Sequence, residues 1–491
     1  GPIQRVTVWR PAMMGRRQRI ESKLFYTNLS LDDRVRPDNP LRQVRAAIDF
    51  DFVRSAVKPL YGRRGNPSVD PVVLLKLMLL LVLEDIASER ELMARMPERV
   101  DWMWFCGYDW DDTIPHHSVI SKARRRWGVE VFQEFFRQVL GQCVEAGLLD
   151  GRTLHVDASV IAANADKETL HPALRVAAGV LYERLDAAAP PEPEPGGRER
   201  DDDPPAGTWV SSTDPEARLT RKNGRTILGY KDHRAVDDAS GIITATVTTD
   251  AATAESHVLT EALDEHARNV GGSPQTVVAD KGYGTADVYR SLAERQVTPC
   301  IPHQKHHGGR GAGIYKAGAF HYDPDRDAYR CPQGHWLRRY TTTKDGSGRY
   351  RAAKGICTGC PRRALCTHAR DGRRLTRHVK QEWIDWADGC YSREHRRRLG
   401  RRRLMRAEGS FADAANNHGY KRARWRGLQG MTIQNLLIAA AQNLRKLIRA
   451  SRRRPAAALR AAKLRWRQLG LRVGRAAPLP CPPTAMAPCS G

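Results

Sequence analysis

Two short apolar segments that each stop at an aspartate most constrain the fold of this chain. In TLHVDASVIAANA (residues 153–165) the apolar run stops at Asp157. In TVVADKGYGT (residues 276–285) a β-branched run stops at Asp280, and a glycine-containing turn follows. Short apolar runs of this kind predict buried strands. One such aspartate can simply start a turn, but two favour a site, because ligands of open α/β sheets bind beyond the carboxyl ends of strands.

Further segments around these two predict an α/β sheet. RTILGYKDHRAVDD, GIITATVTTD and VTPCIP have the composition of strands, and residues 254–269 have helical spacing. Strands followed by a helix and another strand are typical of an α/β fold. Residues 29–150 are predicted to be helical, with Asp70 as the N-cap of the most apolar helix and Ser88 with Glu91 as a capping box. The expected fold class is α/β with an all-α N-terminal domain.

Composition predicts the remaining boundaries in the 491 residues. Residues 1–28 form a basic arm, 29–150 the helical N-terminal domain, and 151–302 together with 401–450 the α/β core. Residues 303–400 form an insertion rich in glycine, arginine, histidine and cysteine. Residues 186–208 are acidic and proline-rich, which predicts a flexible loop. Residues 451–491 are basic and then proline-rich, which predicts a disordered tail.

The charge of the chain predicts a polyanionic partner. Lysine and arginine number 81 against 55 aspartates and glutamates, which leaves a formal net charge of +26. Nucleic acid is the first candidate and an acidic membrane surface is the second. The most apolar stretch, residues 70–87, is interrupted by Lys76 and is too short for a membrane span. With no apolar signal core near the start and with dispersed cysteines, we expect a cytosolic chain with reduced thiols.

A third carboxylate, Glu408, stands in a helix-compatible and arginine-rich segment. It is the only carboxylate from Arg396 to Ala412. Taken alone, such an acid is more simply explained as a salt-bridge partner of the arginines. Together with Asp157 and Asp280 it predicts a magnesium site, because Mg²⁺ is held by a few carboxylates plus the phosphate oxygens of a substrate. Two such ions can activate a water or a 3′-hydroxyl and stabilise the leaving oxygen at phosphorus.

Several motifs, in one order, resemble those of the DDE transposases of bacterial insertion sequences, the branch with a ribonuclease-H-like catalytic core. YGRRGNPSVDPVVLLKLMLL, SERELMARM and DTIPHHSVISKARRRWG resemble the helical domain that precedes this core. LHVDASVIAANA and VVADKGYGT are similar to the two aspartate segments, and GYKDHRAVDDASGIITATVTT is similar to the paired strands between them. AEGSFADAANNHGYKRARWRGLQGM is similar to the glutamate helix, and NLLIAAAQNLRKL to its successor.

The resemblance implies that Asp157, Asp280 and Glu408 are the catalytic triad and bind two Mg²⁺ ions, with Mn²⁺ able to substitute. It implies an enzyme that binds double-stranded DNA at the terminal inverted repeats of its element, frees a 3′-hydroxyl and joins it to target DNA. Two DNA ends must be paired, so a homo-oligomer is expected. The resemblance also implies a bacterial cytoplasmic protein on the nucleoid, without a membrane partner.

The final motif departs from the family pattern at two positions. The family usually has an arginine one turn before the glutamate and a lysine about two turns after it. Leu404 and Ala415 occupy these positions, with Arg403 beside the first and Lys421 beyond the second. These departures leave open a second hypothesis, a catalytically decayed DNA-binding protein derived from such a transposase. A third hypothesis is a structure-specific nuclease on the same core, which would cut without strand transfer.

Basic residues in several segments are candidates for DNA contacts. The run of arginines at 124–126 lies on a predicted helix, and a solvated basic face explains it equally well. Lys231 belongs to a strand whose polar residues can simply face solvent. Trp425 among arginines suits DNA ends or unpaired bases, and packing of its ring in the core is an equal alternative. The candidates are Arg124, Arg125, Arg126, Lys231, Lys281, Lys421, Arg424 and Arg426.

Four cysteines in the insertion have the number, though not the usual spacing, of a zinc site. Cys357 and Cys360 form a C-x-x-C, Cys331 precedes them and Cys366 follows. Four cysteines are the ligand count of structural zinc. His335 and His368 are possible substitutes for cysteine as ligands. Zinc and free cysteines are the two alternatives, and zinc would have an architectural role in an insertion with little core of its own.

Overall fold

The computed structural model describes residues 30–62, 67–172, 209–222, 224–304, 314–344 and 346–453. The basic arm predicted for residues 1–28, the loop predicted for residues 186–208 and the tail beyond residue 453 lie outside the described residues. The described residues form two compact units. The first unit holds those up to Gln275 and those from Gly400 onward, and the second unit holds Thr276–Leu399.

The N-terminal part of the first unit is helical, and the predicted N-cap roles of Asp70 and Ser88 are confirmed. Asp70 accepts a hydrogen bond from the N–H of Val72 at 2.9 Å, and Ser88 accepts one from the N–H of Glu91 at 3.1 Å. The helices are α1 (Leu31–Arg34), α2 (Pro40–Ala47), α3 (Phe52–Val57), α4 (Pro71–Leu83), α5 (Glu89–Arg95), α6 (Val100–Cys106), α7 (Ser118–Trp127) and α8 (Glu130–Glu145). Helix α4 is buried on every side, which explains its nearly continuous apolar sequence. None of the helices in the described part of the chain combines the length and apolar character that a membrane crossing needs.

An antiparallel sheet follows the helices in the first unit. Its strand β5 (Arg225–Asp237) pairs along one edge with β1 (Thr153–Ala162), from Leu154↔Asp237 to Ala162↔Gly229. Along the other edge, β5 pairs with β4 (Arg218–Lys222) and then with β6 (Ile243–Asp250). Two short strands, β2 (Leu170–Pro172) and β3 (Trp209–Ser211), pair with each other. Helix α9 (Glu255–Val270) follows β6, as its sequence predicted.

The position of Asp157 within β1 differs from the prediction. The sequence indicated that the strand stops at this acid, but β1 continues to Ala162. Asp157 lies opposite Arg234 of β5, in the middle of the paired region. The small residues after Asp157 stay in register with β5, so the acid interrupts the apolar pattern without ending the strand.

The second unit begins with a parallel pair of strands, β7 (Thr276–Val278) and β8 (Thr298–Cys300), with helix α10 (Ala286–Glu294) between them. In its described residues an antiparallel sheet follows, made of β9 (His321–Asp323), β10 (Ala328–Arg330), β11 (Trp336–Thr342), β12 (Gly348–Ala352) and β13 (Arg374–Arg377). These strands lie in the order β13-β12-β11-β10-β9 across the sheet. Helices α11 (Gln381–Gly389) and α12 (Arg393–Arg403) come next along the chain.

The sequence of the insertion did not indicate this antiparallel sheet. Its strands are short, and arginine or threonine alternates with single buried residues. The apolar cluster behind the sheet is small and consists of Phe320, Leu337, Tyr350 and Leu375. A pattern with so few apolar positions per strand gives a weak period-two signal.

One hydrophobic core joins the helical part of the first unit to its sheet. After a π-helical turn and α13 (Gly409–Asn417), the long helix α14 (Gly427–Arg453) packs against α2, α4, α8 and β6. Most of its apolar side chains are buried, and those of Leu437, Ala440 and Leu444 are fully so. Asn443 accepts a hydrogen bond from the N–H of Ile243 at 2.9 Å and donates one to its carbonyl at 2.7 Å. The segment that follows the predicted glutamate helix is thereby fixed to the sheet.

Candidate active site

The carboxylates of Asp157 and Glu408 share one arginine. Arg403 donates from Nη1 to Asp157 Oδ2 at 2.6 Å and from Nη2 to Glu408 Oε1 at 3.0 Å. The side chains of Arg403 and Asp157 are each 14% exposed, and that of Glu408 is 51% exposed. Two carboxylates that are distant in the sequence therefore face a single cationic centre within the first unit.

A π-helical turn (Leu404–Glu408) brings Arg403 to the side of Glu408. The N–H of Gly409 bonds the carbonyl of Leu404, which closes a larger ring than that of an α-helix. In an α-helix, the residue four positions before Glu408 would lie beside it, and that residue is Leu404. The π turn places Arg403 there and leaves Leu404 and Met405 exposed. Arg403, and not Leu404, therefore contacts Glu408 from the N-terminal side.

A lysine contacts the same face of β1 on which Asp157 lies. Side chains two residues apart on a strand point to the same face, so Asp157 and Ser159 lie in one row. Lys421 donates to Ser159 Oγ at 3.0 Å. Partial desolvation of the ammonium group lowers the pKa of Lys421, although the residue as a whole is exposed. The lysine that the family pattern places two turns after the glutamate has no equivalent at Ala415, but Lys421 reaches the strand of the first aspartate from the segment after α13.

On the other side of Asp157 in the same row, His155 is held by Asp238. His155 Nε2 lies 2.7 Å from Asp238 Oδ1, and Arg402 donates from Nε to the same oxygen at 2.6 Å. Burial lowers the pKa of His155, although the hydrogen bond with Asp238 raises it. Burial raises the pKa of Asp238, but the hydrogen bonds with His155 and Arg402 outweigh it and hold the pKa below its usual value. Consecutive arginines, Arg402 and Arg403, therefore anchor the segment before Glu408 to the sheet.

A fully buried ion pair lies next to Asp157 in the sheet. Arg234, opposite Asp157 in the register, donates from Nε to Asp232 Oδ2 at 2.7 Å, and both side chains are inaccessible to solvent. Arg234 Nη1 also donates to Gln442 Oε1 at 2.9 Å and to the carbonyl of Ser410 at 3.3 Å. The pair therefore connects β5 to the start of α13, directly after Glu408, and to α14. Sequence reasoning missed this pair, because the residues that bury it and complete its hydrogen bonds, Ser410 and Gln442, lie far along the chain.

Asp280 lies in the second unit, shortly after β7 ends at Val278. Its Oδ1 accepts a hydrogen bond from the N–H of Gly282 at 2.7 Å and caps a short 3₁₀ turn (Lys281–Tyr283). Asp280 therefore starts a turn, which is the simpler of its two interpretations. Its place directly after a strand also agrees with that of a site residue.

Asp157 and Glu408 have the chemistry of ligands for a hard divalent cation. Both are carboxylates, the donors that Mg²⁺ prefers, and both face the guanidinium of Arg403. Among the described residues, no group of three or more histidine, cysteine, aspartate or glutamate side chains is arranged to hold a metal ion. The two carboxylates thus fit one part of a metal site, and a cation between them would compete with Arg403.

Two of the arginines predicted to contact DNA make internal contacts. Arg124 pairs with Glu89, and its guanidinium lies 4.0 Å from the ring centre of Trp425. Trp425 is buried and donates to Glu89 Oε1 at 3.0 Å, so its ring packs in the core, as the second of its two interpretations predicted. Arg424 pairs with Asp85 at 2.9 Å and its side chain is 6% exposed. These contacts join the helical region to the segment after α13 and favour a structural role for both arginines.

The other residues predicted to contact DNA are more accessible. Lys231 is partly buried and donates to the carbonyl of Thr253 at 2.8 Å. The exposed residues are Arg125, Arg126, Lys281, Lys421 and Arg426. Their exposure permits contact with a polyanion, and their role in DNA binding stays a prediction.

The four cysteines of the insertion line one cavity in the second unit. The cavity has a volume of about 30 Å³ and is lined by Cys331, Cys357, Cys360 and Cys366, with His335 beside them. The chain turns sharply at Cys331, whose carbonyl accepts a hydrogen bond from the N–H of Gly334 at 2.8 Å. Burial raises the pKa of the Cys366 thiol. A space of this size has room for about one water molecule.

Two segments of the chain match families of transposase domains. Residues 29–126 match a family described as "Transposase domain (DUF772)", and residues 330–448 match one described as "Transposase DDE domain". Together, the two matches support a DDE-type insertion-sequence transposase, the family that the motifs resembled. The second match includes Glu408 and begins after Asp157 and Asp280. No curated protein matches the chain.

Proposed function

We propose that this transposase binds the ends of its own insertion sequence, hydrolyses a phosphodiester to free a 3′-hydroxyl, and transfers that hydroxyl to target DNA. The observation that carries the proposal is that Asp157 and Glu408 face one cationic centre. Asp280 completes the triad in this proposal, on the strength of its motif and its position after a strand. The antiparallel strands β1, β5 and β6, followed by α9, support a ribonuclease-H-like core.

The reaction would proceed by two displacements at phosphorus. In the first, a water oxygen bonds to phosphorus, the bond from phosphorus to the 3′-oxygen breaks, and that oxygen leaves as a hydroxyl. In the second, the freed 3′-oxygen bonds to a target phosphorus and the target 3′-oxygen leaves. Two Mg²⁺ or Mn²⁺ ions at the carboxylates would activate the attacking oxygen and stabilise the leaving oxygen. The carboxylates of Asp157, Asp280 and Glu408 would orient these ions, and no serine or tyrosine nucleophile is needed.

Basic residues outside the triad would hold the DNA backbone. The net charge of +26 gives the chain a general attraction for double-stranded DNA. The exposed Arg125 and Arg126 of α7 and the exposed Lys421 and Arg426 of the segment after α13 are the proposed contacts in the first unit. Because two element ends must be brought together, we expect at least a homodimer in the DNA complex.

Cleavage of the DNA that flanks the gene tests this function. Purified protein is incubated with both element ends and with an unrelated duplex, in Mg²⁺ or in EDTA. We expect metal-dependent cuts at the element ends, followed by joining to target DNA. Binding without cleavage, even in Mn²⁺, would replace the proposal with the decayed DNA-binding protein. Metal-dependent cuts unrelated to the ends would replace it with a nuclease.

Removing the guanidinium of Arg403 is expected to strengthen metal binding by the free protein. A hydrogen bond to a charged group contributes about 1.5–3 kcal/mol, and 1.4 kcal/mol is a factor of ten. Arg403→Gln should therefore bind Mn²⁺ about tenfold more tightly in the absence of DNA. The free Mn²⁺ signal in electron paramagnetic resonance measures this. Arg401→Gln is the control, since Arg401 is exposed and carries the same charge. If the two variants bound Mn²⁺ with equal affinity, Arg403 would not compete with the metal ion for the carboxylates.

We also propose that the four cysteines of the insertion hold one structural Zn²⁺. Among the described residues these four cysteines do not stand in a metal-binding arrangement, so the proposal rests on their shared cavity and on their number, which is typical of structural zinc. Purified wild-type protein should contain about one zinc per chain by elemental analysis. Cys357→Ser should lose this zinc and lower the melting temperature. Cys390→Ser is the matched control, since Cys390 is a partly buried cysteine in the same unit but outside the cavity lining. If the wild-type protein contained no zinc, the proposal would be wrong and the four cysteines would be free thiols.

A further inference from the structure

One face of the antiparallel sheet in the second unit carries a row of arginines. Arg338 of β11 lies directly opposite Arg351 of β12, and Arg351 lies directly opposite Arg374 of β13. Directly opposed residues in antiparallel strands point to the same face, so three guanidinium groups stand side by side across three neighbouring strands. All three residues are exposed.

The opposite face of the sheet holds the apolar cluster, so the arginine row faces away from it. Leu337, Tyr350 and Leu375 are the immediate neighbours of the three arginines along the chain, and they are buried. Side chains alternate between the faces of a strand. The row is therefore the outer surface of the sheet and takes no part in its core.

More basic and aromatic residues extend this surface. Arg349 lies two residues from Arg351 on the same face of β12, and it is exposed. Trp336 lies two residues from Arg338 on β11, with the guanidinium of Arg326 5.1 Å from its ring centre. Arg338, Trp336 and Arg351 line a shallow groove of about 470 Å³, with Tyr340 also at its wall. We call the surface formed by Arg338, Arg349, Arg351, Arg374, Trp336 and Tyr340 the arginine face.

The fold leaves most of the positive charge on this face uncompensated. Like charges directly opposite each other on neighbouring strands are destabilising. Arg374 pairs with Asp371 at 2.6 Å, and Arg351 lies 4.5 Å from the ring centre of Tyr340. In the described part of the chain, Arg338 and Arg351 have no carboxylate partner within ion-pair distance. Repulsion between these arginines destabilises the sheet by itself, and a polyanion bound to this face would neutralise their charge.

We propose that the arginine face is a second DNA-binding surface, which holds the phosphate backbone of double-stranded DNA. The planar guanidinium donates in a fork that matches phosphate oxygens. Strands lie about 4.8 Å apart, so three arginines across three strands present a continuous line of donors about 10 Å long, with aromatic rings beside it. No predicted metal ligand and no predicted DNA contact belongs to this face. The inference goes beyond the proposed function and does not depend on cleavage.

The salt dependence of DNA binding by the full chain tests this surface. The row variant combines Arg338→Gln, Arg351→Gln and Arg374→Gln. The matched control combines Arg137→Gln, Arg268→Gln and Arg290→Gln, which removes the same charge from exposed helical positions. Binding to a labelled unrelated duplex is followed by fluorescence anisotropy without added Mg²⁺ or Mn²⁺ and without a chelator, so that no cleavage occurs and any structural zinc stays bound. The slope of log K against log salt falls by about 0.9 for each phosphate that the protein ceases to neutralise.

We expect the slope to fall by about 2 to 3 in the row variant and by less than 1 in the control. Because like charges are removed, the melting temperature of the row variant should hold or rise, which separates weaker binding from impaired folding. Equal slopes for the two variants would overturn the proposal. A slope that falls only with an RNA ligand would replace DNA with RNA. Since the binding assay contains no Mg²⁺ or Mn²⁺ and hence no cleavage, failure of the transposase reaction would leave this result unaffected, and an unchanged slope would leave the transposase reaction standing.

Discussion

Replacing Asp232 by alanine is expected to lower the free energy of unfolding by about 3–5 kcal/mol, because removal of one partner leaves a buried charge without compensation. Arg234 would remain fully buried and would keep its hydrogen bonds to the carbonyl of Ser410 and to Gln442, but it would lose its carboxylate. The hydroxyls of Thr246 and Tyr420, which both donate to Asp232, would lose an acceptor as well. Urea unfolding followed by circular dichroism measures the change.

A surface ion pair of similar geometry is the control for this loss. Glu134 accepts from Arg137 at 2.6 Å, and both side chains are about 40% exposed. Glu134→Ala should change the free energy of unfolding by less than about 1 kcal/mol, as exposed pairs do. If Asp232→Ala and Glu134→Ala gave the same small change, the buried pair would not be what fixes α13 and α14 to the sheet.

Replacing a triad carboxylate is expected to abolish DNA cleavage while DNA binding persists. A bound metal ion contributes several kcal/mol to the transition state of phosphoryl transfer, and 1.36 kcal/mol is a factor of ten in rate. Asp157→Asn, Asp280→Asn and Glu408→Gln should each reduce cleavage by about 10³-fold. Each variant removes one negative charge, so its affinity for DNA should hold or increase.

Glu394→Gln is the matched control for these variants. Glu394 is an exposed acid in the arginine-rich helix α12, and it is not part of the proposed triad. The Glu394→Gln variant should cleave DNA at the wild-type rate. A loss of cleavage in Glu394→Gln equal to that in Glu408→Gln would show that the segment tolerates no change of charge, and the assignment of Glu408 as a ligand would fall.

The regular elements of the first unit could be predicted from the sequence because local signals dominate them. The caps at Asp70 and Ser88 and the apolar spacing of α8 and α14 are visible without tertiary contacts. The end of β1 was predicted wrongly at Asp157, because pairing with β5 continues through residues whose sequence reads as a turn. The sheet of the second unit escaped prediction because its outer face is arginine-rich and its core contributes about one apolar residue per strand.

The candidate site shows the same limit. Asp157 and Glu408 could be selected by their sequence surroundings, but the role of Arg403 depends on one π-helical turn that no periodicity indicates. The arginines predicted to contact DNA could not be sorted by sequence either. Arg124 and Arg424 are paired with Glu89 and Asp85, which precede them by many residues, whereas the exposed Arg125 has the same local sequence context.

The most direct test of the central claim is whether Asp157, Asp280 and Glu408 surround the same metal ions. Fe²⁺ bound in place of Mg²⁺, with ascorbate and peroxide, generates hydroxyl radicals that cut the polypeptide beside its ligands. We expect cuts near residues 157, 280 and 408 together, suppressed by excess Mn²⁺ and lost at all three positions in Asp280→Asn. Cuts near residues 157 and 408 that persist in Asp280→Asn, with none near residue 280, would contradict the triad.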